Sequence, residues 1–151
     1  NRSIDGVNMV NAPFIAKERG VEVQESRSNE VHEYTSTVQV QVTTQNRTHR
    51  VTGSIFGKGD SRIVQFDEYK LEAVLSKNML VLNNIDVPGV IGNLGNVLGK
   101  HNLNIADFHL GRMEVGGKAV AIINIDSPPS TEALGELRNT ANIINVNSVT
   151  L

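Results

Sequence analysis

Residues 84–104, NIDVPGVIGNLGNVLGKHNLN, leave the chain little conformational freedom. An apolar run at residues 79–82 leads in as a strand, and Asp86, Pro88 and Gly89 then turn the backbone. Beyond the turn, Val90, Ile91, Leu94, Val97 and Leu98 recur at helical spacing, which predicts a helix over residues 88–100 with one buried face. Pro88 suits the first helical turn, where its missing N–H would have had no partner. Asn102 follows the last periodic residue as a cap, and a second strand is expected from Asn104. On this reading Asp86 and Asn104 flank a helix N-terminus. Its free N–H groups and partial positive charge suit a small carboxylate.

Composition excludes several functions. The chain has 151 residues, enough for one ordinary domain or two small ones with a real core. A net charge of −2 with no block of like charge argues against a nucleic-acid surface. Two Tyr, four Phe and no Trp offer little for base stacking. The absence of cysteine removes disulfides, thiolate metal sites and thiol catalysis, and fits a reducing cytoplasm. No apolar run approaches the ~20 residues of a membrane span. The N-terminus is no signal peptide, and because it starts mid-pattern the chain is expected to be a piece of a longer protein.

Taken in order, the chain divides near residues 75–78. Val7, Val10 and Phe14 share a face ahead of Gly20, which predicts a helix from about Asn8 or Pro13 to Arg19. Residues 21–28 are strand-like. Residues 33–44 alternate at Val38, Val40 and Val42, the pattern of a half-buried strand, and residues 48–56 return as its hairpin partner. Gly57, Lys58, Gly59 and Asp60 form a glycine-rich turn, with another hairpin at residues 62–66 and 69–74. The second half reads strand 79–87, helix 88–100, strand 104–115 with Ala106, Phe108 and Leu110 on one face, and a tight turn at Gly116–Gly117. A strand apolar on both faces follows at residues 118–126. Ser130 then caps a helix to about Thr140, with Leu134, Leu137 and Ala141 inward, and residues 143–149 close as a strand. The fold class is α+β. A small helix-plus-antiparallel-sheet domain (1–76) precedes a β-α-β-β-α-β, ferredoxin-like domain (77–151).

Asp86-Val87-Pro88-Gly89-Val90, a helix, then Asn102-Leu103-Asn104-Ile105 resembles the signature of an ACT domain, a module that binds amino acids on metabolic enzymes. The run from Val7 to Pro13, continued through Glu18-Arg19-Gly20, resembles the segment after the catalytic core in D-3-phosphoglycerate dehydrogenases that carry an additional allosteric substrate-binding domain. The resemblance spans nearly the whole chain. It implies the regulatory region of such an enzyme, cut from its N-terminal catalytic domains, with NAD bound by the parent and no cofactor in this piece. It further implies L-serine or a similar small amino acid as feedback effector, held by Asn84, Asp86, Pro88, Gly89, Val90 and Asn104, and a homo-oligomer joined through the ACT domain. Asn84 stands where that family usually has His or an aromatic. The alternatives are the regulatory region of an L-serine dehydratase and a stand-alone amino-acid-binding module.

A second, anionic ligand is implied for the first half, where Lys58, Arg62 and Lys70 lie on or beside two turns. Arg62 could grip a phosphate with both arms while Lys58 adds a point charge. Val74 occupies a position at which relatives carry an arginine. The four histidines, His32, His49, His101 and His109, lack ligand spacing, so no metal site is expected. There is no P-loop, GxGxxG or GxSxG, so no catalytic residue is expected here. Gly92, Gly95 and Gly99 are expected to let the helix pack closely on its sheet.

Overall fold

The computed structural model describes residues 6–26, 34 and 36–151. The chain forms two compact units, Asn1–His32 and Glu33–Leu151. In the first, helix α1 runs Ala12–Glu18 with Pro13 in its opening turn. The loop before it is held by side chains of Asn8 and Asn11, each accepting the other's backbone N–H at 3.1 and 2.7 Å. The helix is shorter than its pattern, so Val7 and Val10 lie outside it, and they and Phe14 are exposed. Residues 21–26 form no strand, contrary to expectation; residues 27 and 28 lie outside those described.

The second unit contains two antiparallel sheets. β1 (Thr37–Thr43), β2 (Thr48–Phe56), β3 (Asp60–Phe66) and β4 (Tyr69–Val74) form a meander in sequence order. Gly57 and Gly59 turn β2 into β3 with positive φ, as a hairpin turn requires. β1 takes the expected register against β2, but its valines are not half-buried: Val38 is 72% exposed. The alternation set the strand, yet Val40 and Val42 are exposed as well.

The second sheet has the order β6-β7-β5-β8, built from β5 (Asn78–Ile85), β6 (Ile105–Arg112), β7 (Lys118–Ile125) and β8 (Ile143–Thr150). Helices α2 (Val90–Lys100) and α3 (Thr131–Arg138) complete the β-α-β-β-α-β order. Leu94, Leu98 and Leu137 from the helices pack with Leu80, Leu82, Ile123 and Val146 of the sheet in one core. On the opposite face Met79, Val120 and Ile122 pack with Tyr69, Leu71 and Ala73 of β4. Helices on one side and β4 on the other bury β7 on both faces, which explains its unbroken apolar run. Gly111 permits this stacking, since a Cβ there would lie 2.8 Å from the Lys70 carbonyl oxygen on β4.

Local signals hold well in this half. Ser130 Oγ accepts the Ala133 N–H at 3.1 Å, the expected N-cap. α2 ends with Asn102 at φ +54°; the Leu103 N–H reaches the Leu98 carbonyl and the Asn102 N–H that of Gly99. That is the double bond pattern of a left-handed helix end. Three details differ. Ile91 is 54% exposed rather than core, and Ala106 and Ala141 are also exposed. A Cβ at Gly92, Gly95 or Gly99 would meet nothing within 4 Å, so among the described residues none of these glycines serves close packing.

Candidate functional site

β5 ends at Ile85 and the backbone leaves the sheet at Asp86, whose N–H still donates to the Gly117 carbonyl at 2.8 Å. Gly89 then adopts φ +90°, a conformation that costs little only without a Cβ. This left-handed residue separates Pro88 from the helix, which starts at Val90 instead of 88. Pro88 is therefore part of the turn, not of the first helical turn. Gly89 has no side chain with which to cap α2.

The turn leaves a cavity of about 320 Å³ beside the start of α2, lined by Asn84, Asp86, Pro88, Gly89 and Val90 among others. Five of the six residues expected to bind an amino acid thus come together. Asn84 is 3% exposed; its Nδ2 donates to the Ile85 carbonyl, and its Oδ1 is buried without a donor. An unsatisfied buried acceptor is costly, which makes it a natural contact for a ligand's ammonium or hydroxyl.

Asn104 does not join them. β5 and β6 both run antiparallel to β7, so they are parallel to each other and start at the same end of the sheet. Asn104 lies at that end, where its Nδ2 donates to Asp126 Oδ2 at 2.8 Å. Asp86 lies a strand's length away, roughly 25–30 Å at the usual rise per residue. The helix between two parallel strands carries the chain back to the starting end, which the linear reading overlooked.

Arg112, at the end of β6, was not singled out by sequence. Its Nη1 donates to Asp86 Oδ2 at 2.7 Å, and it lines the same cavity. The two residues are 26 positions apart, and no short motif joins them. Their meeting follows from register, since Asn84 and Arg112 both pair with Ala119 of β7.

The expected anion site is not assembled. Asp60 and Glu72 already occupy the Arg62 guanidinium, with Asp60 Oδ2 at 2.6 Å from Nη2, and Phe56 lies 5.0 Å beneath it. The Asp60 hydrogen bond raises the Arg62 pKa further. Lys58 and Lys70 are exposed, and neither they nor Arg62 line the cavity beside α2. A larger, open cleft of about 760 Å³ is lined by Arg47, Arg50, Asp67, Tyr69 and Lys118 among others, but it holds no orphaned buried side chain. Among the described residues no group of His, Asp or Glu could hold a metal ion, and no helix is long and apolar enough to cross a membrane.

Residues 1–67 match the D-3-phosphoglycerate dehydrogenase intervening domain, and residues 79–142 match the ACT domain. The D-3-phosphoglycerate dehydrogenase of Synechocystis sp. is 34% identical over 145 residues, which is 96% of this chain and 26% of that protein. Those of Bacillus subtilis and Archaeoglobus fulgidus are 32% and 33% identical, each over 96% of this chain and 28% of their own length. The chain thus spans about a quarter of the length of these curated relatives.

Proposed function

The chain belongs to the regulatory regions of D-3-phosphoglycerate dehydrogenases, an intervening domain followed by an ACT domain, and on that premise we propose that it senses L-serine or a similar small amino acid at the corner beside α2. The observation that carries this is the meeting of Asp86 and the orphaned Asn84 Oδ1 in one cavity at a helix start. Asp86 receives the ammonium, and Asn84 Oδ1 takes a second hydrogen of the ammonium or the ligand's hydroxyl. The parent enzyme oxidises 3-phosphoglycerate with NAD in the cytoplasm, and serine, the pathway's end product, acts back on it. In this reading the chain contributes the sensor and no catalytic group, with the functional boundary between residues 76 and 77.

Asn104 enters the site from a second copy. If two β6 edges pair about a two-fold axis, their strands run antiparallel. The start of one β6, with Asn104, then meets the end of the other, with Arg112. Such pairing also covers an edge strand that would otherwise be open. Light scattering at ~100 μM, a concentration at which even weak interfaces populate, should give a dimer or larger; a monomer would refute the assembly.

Calorimetry with L-serine, glycine and other small amino acids tests the ligand. Asp86→Ala should weaken binding by ~1.5–3 kcal/mol, the worth of a charge-assisted hydrogen bond. If none of them gives heat or a thermal shift, the proposal fails. If serine binds equally well to Asp86→Ala, the site lies elsewhere.

A further inference from the structure

The corner contains its own counter-ion. Asp86 is 17% exposed and Arg112 is 50% exposed, so the carboxylate is held inside while the guanidinium reaches in from solvent. Among the described residues Asp86 is the only carboxylate that Arg112 pairs with. The Arg112 stem is long and rotatable, and just one of its arms engages Asp86. Next to the pair, Asn84 Oδ1 is buried with no donor. The corner is therefore neutral overall, with one buried acceptor unpaired.

An α-amino acid carries the same two charges as this ion pair, in one small molecule. Resting on the reading of the corner as an amino-acid site, we propose that Arg112 is the receptor for the ligand's carboxylate. The ligand's ammonium replaces the guanidinium on Asp86 and also reaches Asn84 Oδ1. Arg112 swings outward and takes the carboxylate, which its planar fork matches with two parallel N–H donors. Every charge is paired before and after. A lone amine would have to expel Arg112 and leave it without an anion. A lone carboxylate would draw Arg112 away and leave Asp86 bare inside the corner. The ion pair therefore selects for zwitterions, a specificity that neither Asp86 nor the start of α2 supplies alone.

The test uses the chain with L-serine and with ethanolamine, which keeps serine's amine and hydroxyl but lacks its carboxylate. Titrations are run on the unmodified protein, Arg112→Met and Arg112→Lys, each first shown by thermal unfolding to be folded. Arg112→Met should lose L-serine affinity by roughly 10–100-fold, the range for a charge-assisted contact. The same variant should bind ethanolamine more tightly than the unmodified protein does, because Asp86 is freed. Arg112→Lys should retain part of the serine affinity and keep ethanolamine weak. Unchanged serine binding in Arg112→Met would overturn the proposal and leave the carboxylate to the N–H groups at the start of α2. Equal weakening of both ligands would also overturn it, showing that Arg112 only props Asp86 in place. An unmodified protein that binds no amino acid at all would remove the reading of the corner itself, a failure distinct from either.

Discussion

Asn84→Leu should stabilise the empty protein while abolishing its response to serine. Asn84 is 3% exposed, and leucine keeps the branched outline of its side chain with the cavity beside it to take the extra volume. The substitution removes an acceptor, Oδ1, that is buried without a partner, a burden of about 1–3 kcal/mol. It also removes one hydrogen bond, Nδ2 to the Ile85 carbonyl at 3.0 Å, worth about 0.5–1.5 kcal/mol. That carbonyl is not orphaned, since the Val87 N–H also donates to it at 2.9 Å. The balance favours leucine by about 1 kcal/mol, a rise in unfolding midpoint of about 2–4 °C for a chain of this length. Urea denaturation and a thermal scan with and without L-serine measure both halves. A lower midpoint would refute the energetic argument. A serine-induced shift that survives in Asn84→Leu would refute the role of Oδ1.

Leu98, fully buried between α2 and the sheet, should cost about 2.7–5 kcal/mol when truncated to alanine, read as a lower urea midpoint at unchanged slope. Two glycines should respond with opposite signs in the same assay. Gly99→Ala, with open space around the new Cβ, should stabilise by up to about 1 kcal/mol, whereas Gly111→Ala drives a Cβ to 2.8 Å from the Lys70 carbonyl oxygen and should cost about 1–3 kcal/mol. Hydrogen bonds from Lys100 first and His101 second hold the Glu136 pKa below the usual glutamate value. A depressed carboxylate pKa adds stability above its unfolded value of about 4.3, and that stability fades as pH falls through the lower folded value. Glu136→Gln should therefore flatten the acid side of a midpoint-versus-pH curve between about pH 5 and 3; an unchanged slope would refute it.

Much of the fold was legible because its signals are local. The period of Leu94 and Leu98, the Ser130 cap and the left-handed Asn102 each act within a few residues of themselves. The first half was less legible for a related reason. Val38, Val40 and Val42 announced a strand, but alternation says only which residues share a face, and whether anything covers that face depends on distant chain. Gly92, Gly95 and Gly99 misled in the same way: glycine reads as close packing, and among the described residues a Cβ at any of them would meet no neighbour within 4 Å.

The candidate site divides along the same line. Sequence alone determined the turn at Pro88–Gly89, the helix after it and the presence of Asn84 and Asp86 at its start, because contiguous residues build that corner. Only tertiary structure decided that Arg112 would close on Asp86 and that Asn104 would lie at the far end of the sheet. Both outcomes come from strand register. β5 and β6 never touch, yet each pairs with β7, and that shared neighbour aligns their ends. Register is set by the whole set of buried faces that must meet at once, so it is written in no single stretch of residues.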